Sequence, residues 1–103
     1  MRGQENGTPF SATATHATSA VATKSGTDGL KSFITDISGS SDKAGALLLV
    51  KDGTTVIWQE IIGATTPYHH SFVQPLEGSV GADISITVDG TSLCKSNIAG
   101  YTL

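Results

Sequence analysis

Residues 47–60 read LLLVKDGTTVIWQE, two apolar runs on either side of Asp52-Gly53. Asp-Gly between apolar runs is a hairpin signal, because Gly reaches the left-handed backbone region at no steric cost. Two turn geometries are open. A two-residue type I′ loop at Asp52-Gly53 sets Leu49 opposite Val56 and Leu47 opposite Trp58. A three-residue loop, Lys51-Asp52-Gly53 with a Gly bulge, shifts that pairing by one and suits Asp followed by Gly slightly better. Either register leaves apolar side chains on both faces. A strand with one wet face should alternate, so the second face of this hairpin needs a cover.

On either side of the hairpin the chain breaks into short segments separated by turn residues. Residues 1–9 hold Gly3, Gly7 and Pro9 among polar residues and are expected to form a flexible arm; residues 10–103 then form a single domain. FSATATHATSAVAT (10–23) predicts an edge strand or two short ones. LKSFITDIS (30–38) predicts a strand with Phe33 and Ile37 on one face and Leu30 and Ile34 on the other. GSSDKAG (39–45) is expected as a flexible loop with room for a helical turn. YHHSFV (68–73) places Tyr68, His70 and Phe72 on one face, and Gln74 to Gly78 make a loop. In ADISITV (82–88) Ile84, Ile86 and Val88 point inward and Asp83, Ser85 and Thr87 outward, the alternation of a half-buried antiparallel strand. Asp89-Gly90 is a second turn signal, and residues 92–103 end the domain as one broken strand. The pattern predicts an all-β fold, an antiparallel β-sandwich or jelly roll of seven to eight short strands.

Composition agrees. In 103 residues there are 14 Thr, 12 Ser and 12 Gly but only three Glu, and charged residues make up 15%. Branched Thr suits a pleated surface and Gly and Ser suit turns, whereas helix formers are scarce. Net charge is −3 and the six basic residues are scattered, so no stripe is present to neutralise phosphates and no nucleic-acid partner is expected. No apolar run approaches the length of a membrane span, and no secretory h-region is visible near the start. The one cysteine, Cys94, allows no internal disulfide and is expected as a small buried hydrophobe.

The residues that could carry chemistry do not converge in the sequence. His69 and His70 are adjacent, so on a regular strand they point to opposite faces and cannot share an ion; only a metal on a symmetry axis, one His per subunit, fits them. Ser, His and Asp occur without a nucleophile motif. Asp36, Glu60 and Asp83 could supply paired acids, but each reads as a strand-end or outward-facing solvated charge. Trp58, Tyr68 and Tyr101 could stack on a sugar, although an aromatic in an apolar strand more often fills a core. The expectation is a non-enzymatic protein with no catalytic residue, cofactor or metal.

GALLLVKDGTTVIWQEIIG, PLEGSVGADISITVDG and the final NIAGYTL resemble segments of small β-sandwich virion structural proteins of tailed bacteriophages, over about residues 30–101. The resemblance implies a capsid decoration (cement) protein on the virion surface, made in the host cytoplasm, with the major capsid protein shell as partner. It carries over no catalytic residue. The greasy second face of the hairpin calls for an occupant on its own account. A neighbouring subunit is the simplest cover, and a homo-oligomer, preferably a trimer on a local three-fold, is expected; the alternative cover is the N-terminal segment of the same chain. Candidate subunit-contact residues are Leu48, Val50, Ile57 and Trp58. Candidate shell contacts are Arg2, Gln4, Glu5, Pro9 and Phe10, with the loops 39–45 and 74–81. A carbohydrate- or receptor-binding module of a fibre or tail is the alternative reading, and a small hydrolase would need a cleft uniting a nucleophile or two acids.

Overall fold

A computed structural model describes residues 7–103. Among these there is no helix; eight strands account for the regular structure. They are β1 (Thr8–His16), β2 (Ser19–Lys24), β3 (Ser32–Ser41), β4 (Ala46–Asp52), β5 (Thr55–Ile62), β6 (Tyr68–Glu77), β7 (Ile84–Asp89) and β8 (Cys94–Thr102). Two antiparallel sheets result, ordered β1-β8-β3-β6 and β2-β7-β4-β5. Each strand of the first half pairs with its mirror in the second: Thr8 with Thr102, Ser19 with Asp89, Gly39 with Tyr68 and Ala46 with Ile62. The chain is thus one long antiparallel ribbon, folded back at its middle and rolled into two layers. This is the connectivity of a jelly roll.

The fold-back point lies in the stretch quoted above, but neither expected turn is the one formed. Asp52 pairs with Thr55, and Gly53-Thr54 is the loop. Gly53 has φ +63° while Thr54 stays at negative φ, the signature of a type II′ turn with Gly first. Tertiary contacts hold Asp52 in the strand. Its carboxylate accepts from the amide and hydroxyl of Ser79, and the Gly53 amide donates to the Asp83 carbonyl. A bulge does form, but at Ile57, between the pairs Val50–Trp58 and Lys51–Val56.

Alternation sets the core. Ile84, Ile86 and Val88 of β7 point inward as expected and are fully buried, together with Ala46, Leu48 and Val50 of β4 and Ile98 of β8. On β3 the expected faces are corrected. A bulge between Ile34 and Asp36 adds one residue, so Ile34 and Ile37 both face the core and Phe33 lies outside, stacked on Tyr101. The bulge demands close approach of the neighbouring strand: a Cβ on Gly100 would lie 1.9 Å from the Phe33 carbonyl oxygen. Strand β3 also runs on through Ser41 and β6 through Glu77, so parts of both expected loops are paired. Strand β1 starts at Thr8, inside the stretch assigned to the arm, with Pro9 opposite Tyr101. Cys94 is buried, its thiol directed at the His16 carbonyl.

With no disulfide, aspartates lace the two ends of the sandwich. At one end Asp83 accepts from the Gly26 amide and Asp52 holds Ser79. At the other, Asp42 accepts from the amides of Thr91 and Ser92 and from the Ser92 hydroxyl, and Asp89 accepts from the Leu47 amide and Lys43. The Ser92 hydroxyl, with these amides, holds the Asp42 carboxyl well below the usual carboxylate range. Burial pushes Asp89 up, but the Leu47 amide and Lys43 outweigh it and leave its carboxyl lowered.

Two outcomes follow. Gly100→Ala should lose about 3 kcal/mol in urea unfolding, whereas Gly63→Ala, which meets nothing closer than 3.8 Å, should stay within about 0.5 kcal/mol of wild type. For Asp42 the folded carboxyl titrates below the unfolded value of 3.8, so the unfolded chain takes up the proton first as pH falls. Wild type should therefore exceed Asp42→Asn in stability above about pH 5, and the gap should shrink as pH drops below 4. A gap that widens with acidification would contradict the assignment.

Candidate functional site

The two outer faces of the sandwich differ in chemistry. On the β2-β7-β4-β5 sheet, strand parity sends Leu47 and Leu49 of β4 outward, opposite Ile61 and Gln59 of β5, and Val56 opposite Lys51. Leu47 is 44% exposed, Val56 42% and Ile61 68%. Val21 of β2, next to Thr87, extends this face. The hairpin is therefore apolar front and back, and its outer side is wet in the isolated chain.

The residues that occupy this face are not the ones expected from the sequence. Leu48 and Val50 have no exposed surface and belong to the core. Ile57 and Trp58 are half-buried and pack against that core, because the bulge at Ile57 changes the parity of β5. Leu47, Leu49, Val56 and Ile61 replace them as outward candidates. Of the expected shell contacts, Arg2, Gln4 and Glu5 lie outside the described residues. Pro9 is exposed on edge strand β1, while Phe10 packs against the core with the Lys24 ammonium 5.6 Å over its ring.

Trp58 plugs the open side of the sandwich. Strands β5 and β6 are the free edges of their sheets on that side. The indole ring meets Phe72 edge-on with centroids 5.0 Å apart and His70 at 5.0 Å, and His70 and Phe72 meet at 4.5 Å. Tyr68, His70 and Phe72 share the inward face, as their spacing predicted. The Trp58 Nε1 is buried without a hydrogen-bond acceptor. Tyr101 stacks on Phe33 on the outside of the other sheet, so Trp58, Tyr68 and Tyr101 do not share one stacking plane.

Beside that stack, the centre of the outer face of the β1-β8-β3-β6 sheet is polar. Register places Ser11, Ala99, Asp36 and Ser71 in one cross-strand row and Thr13, Asn97, Ser38 and His69 in the next. A depression of about 220 Å³ lies among them. The Ser71 hydroxyl donates to Asp36 Oδ1 at 2.6 Å, the Thr35 hydroxyl donates to Oδ2 at 3.1 Å, and His69 Nε2 lies 3.6 Å from Oδ1. The Ser71 hydroxyl in particular holds the Asp36 carboxyl below its ordinary value. A serine, a histidine and an aspartate thus meet, in an order unlike that of a hydrolase. The carboxylate sits between the other two, so the imidazole does not take the serine proton. The cluster can hold hydrogen-bonding groups in place.

His69 and His70 point to opposite faces, as expected for strand neighbours. His16 is elsewhere, its Nδ1 accepting from the amides of Thr18 and Ser19 at the corner between β1 and β2. Among the described residues no three His, Cys, Asp or Glu side chains gather at metal-binding distance. The acids Asp36, Glu60 and Asp83 sit on β3, on β5 of the other sheet and before β7; they form no pair across a cleft. Asp83 is occupied by the Gly26 amide.

No family model matches the chain, and no curated protein does. Among solved structures the chain is similar to dimeric latent PorU from Porphyromonas gingivalis, at 6% identity and a TM-score of 0.41. The match covers 91% of this chain and 13% of that one. A likeness this loose carries no argument about function.

Trp58 gives a direct check of the aromatic plug. Trp58→Phe retains the apolar contact and removes a buried N–H that lacks an acceptor, so its stability should remain within about 1 kcal/mol of wild type. Trp58→Ala should cost about 2–3 kcal/mol, since the side chain is half-buried. Urea unfolding followed by circular dichroism measures both.

Proposed function

We propose that this chain is a non-enzymatic structural protein of a phage virion, a capsid decoration (cement) protein that binds the assembled shell as a homo-oligomer, preferably a trimer. The observation that carries the reading is the outward apolar face of β4 and β5, with Leu47, Val56 and Ile61 all more than two-fifths exposed in the single chain. A β-sheet face that met only water would carry mostly polar residues there, as the two central rows of the opposite sheet's outer face do. A second subunit laid on it removes that surface from water. The laced loop ends suit a rigid element that grips several shell subunits at once, since multivalent attachment gains strength from effective concentration. Viral capsid domains use the jelly roll, as do lectins and cupins; that support is analogy of fold alone. The sequence resemblance to phage virion proteins supplies the shell as partner.

Light scattering and particle binding test the proposal together. Wild type should run as an oligomer at micromolar concentration. Ile61→Asp and Leu47→Asp, both on the outer face, should shift it to monomer while circular dichroism stays native. Leu48→Asp, in the core, should unfold it instead. Electron microscopy of shells with and without the protein should show added density on the capsid surface. A monomeric wild type removes the oligomer, and failure to bind shells removes the cement function.

A further inference from the structure

We propose that the depression on the outer face of the β1-β8-β3-β6 sheet is a binding site for a neutral glycan, formed by Asp36, Ser38, His69, Asn97 and Thr13 around the methyl group of Ala99. This face is turned away from the apolar β4-β5 face, and the site stands whether or not the chain oligomerises.

The shape comes from one small side chain in a grid of larger ones. Neighbouring strands lie about 4.8 Å apart and same-face residues about 6.7 Å apart along a strand. Of the eight side chains in the two central rows, seven are polar; Ala99 alone stops at a methyl, and it lines the depression of about 220 Å³ with Ala12, Ile37 and Ile98. An apolar floor with a polar fence matches a sugar ring, which presents C–H groups on one face and hydroxyls around its rim.

The fence is held in position before any ligand arrives. The bulge at Thr35 turns Asp36 onto this face, and hydroxyls of Ser71 and Thr35 fix one carboxylate oxygen each. Asn97 Nδ2 donates to the Ser38 hydroxyl at 3.0 Å. Neither group is saturated. A carboxylate offers about four lone-pair sites, and Asp36 uses two for these hydroxyls. Asn97 keeps its second N–H and its carbonyl oxygen, and His69 keeps ring nitrogen capacity at 64% side-chain exposure. Planar groups with both donors and acceptors free, at fixed spacing, are what adjacent sugar hydroxyls require. The ligand should carry no anionic group, because the Asp36 carboxylate lining the depression repels phosphate, sulfate and uronate groups. The opening is shallow, and no Phe, Tyr or Trp is among the described residues that line it, which predicts weak binding per site.

Chemical-shift mapping of the 15N-labelled protein tests the site. The probes are neutral oligosaccharides (N-acetylglucosamine oligomers, β-1,4-glucose oligomers and galactose oligomers), with a sulfated glycan as the anionic control. At millimolar concentration at least one neutral probe should shift the amides of Ser38, His69, Asn97 and Ala99, and the sulfated glycan should not. Ala99→Leu, which fills the depression, and Asn97→Ala should each weaken that binding by at least about tenfold with native circular dichroism. His69→Ala reports independently should the sheet variants fail to fold, because its side chain is exposed; it should weaken binding at unchanged melting temperature. The proposal is overturned if no neutral probe shifts these amides, if the shifts map to β4 and β5, or if His69→Ala and Ala99→Leu both bind like wild type.

Discussion

The pairing of one half of the chain with the other, about the Gly53-Thr54 turn, is the constraint on which the structure rests. It fixes four of the six strand pairings, and rolling the ribbon adds the other two, β3 with β8 and β4 with β7. The left-handed Gly53 makes the reversal tight, and Asp52 and Asp83 anchor it to the adjacent loops. A ribbon folded at this point and rolled over a core of Ile, Val, Leu and Ala leaves two broad outer faces. One is greasy along β4 and β5; the other sets a lattice of polar groups beside the Phe33–Tyr101 stack.

Both faces owe their detail to departures from regular pairing. The extra residue at Ile57 pulls Ile57 and Trp58 toward the interior, which closes the free side of the sandwich with an aromatic plug and leaves Val56 outside. The extra residue at Thr35 puts Ile34 and Ile37 on the same side and brings Asp36 out beside Ser71. A bulge re-aims side chains without breaking the sheet, and here two of them decide what each surface can touch.

The parts of the fold visible in the sequence are those encoded locally. The strict alternation at residues 84–88, the turn residues between short segments and the apolar character of both sides of 47–60 all follow from the two-residue period of a strand. The allocation of Leu48 and Val50 to a subunit contact failed because a slip of one residue exchanges the faces, and the turn register depended on Ser79 and the Asp83 carbonyl, far along the chain. The polar depression had no local signal. Asp36, Ser71 and Asn97 meet only because β3 lies between β6 and β8, and strand order is a property of the whole roll. His69 and His70 were correctly separated onto two faces, yet nothing nearby revealed that one would join an aromatic plug and the other a carboxylate.

The mirrored pairing also has a kinetic meaning. The contacts between β1 and β8 join residues far apart in sequence, and closing so large a loop in one step is entropically costly and slow. Nested closure avoids this: once the central hairpin has formed, each successive pair need close only the short segment beyond the pair before it. Folding should then nucleate near the chain midpoint and zip toward the termini, so that substitutions in β4 and β5 slow refolding while those in β1 and β8 chiefly hasten unfolding. Chevron analysis of the two sets distinguishes this order from nucleation at the chain ends.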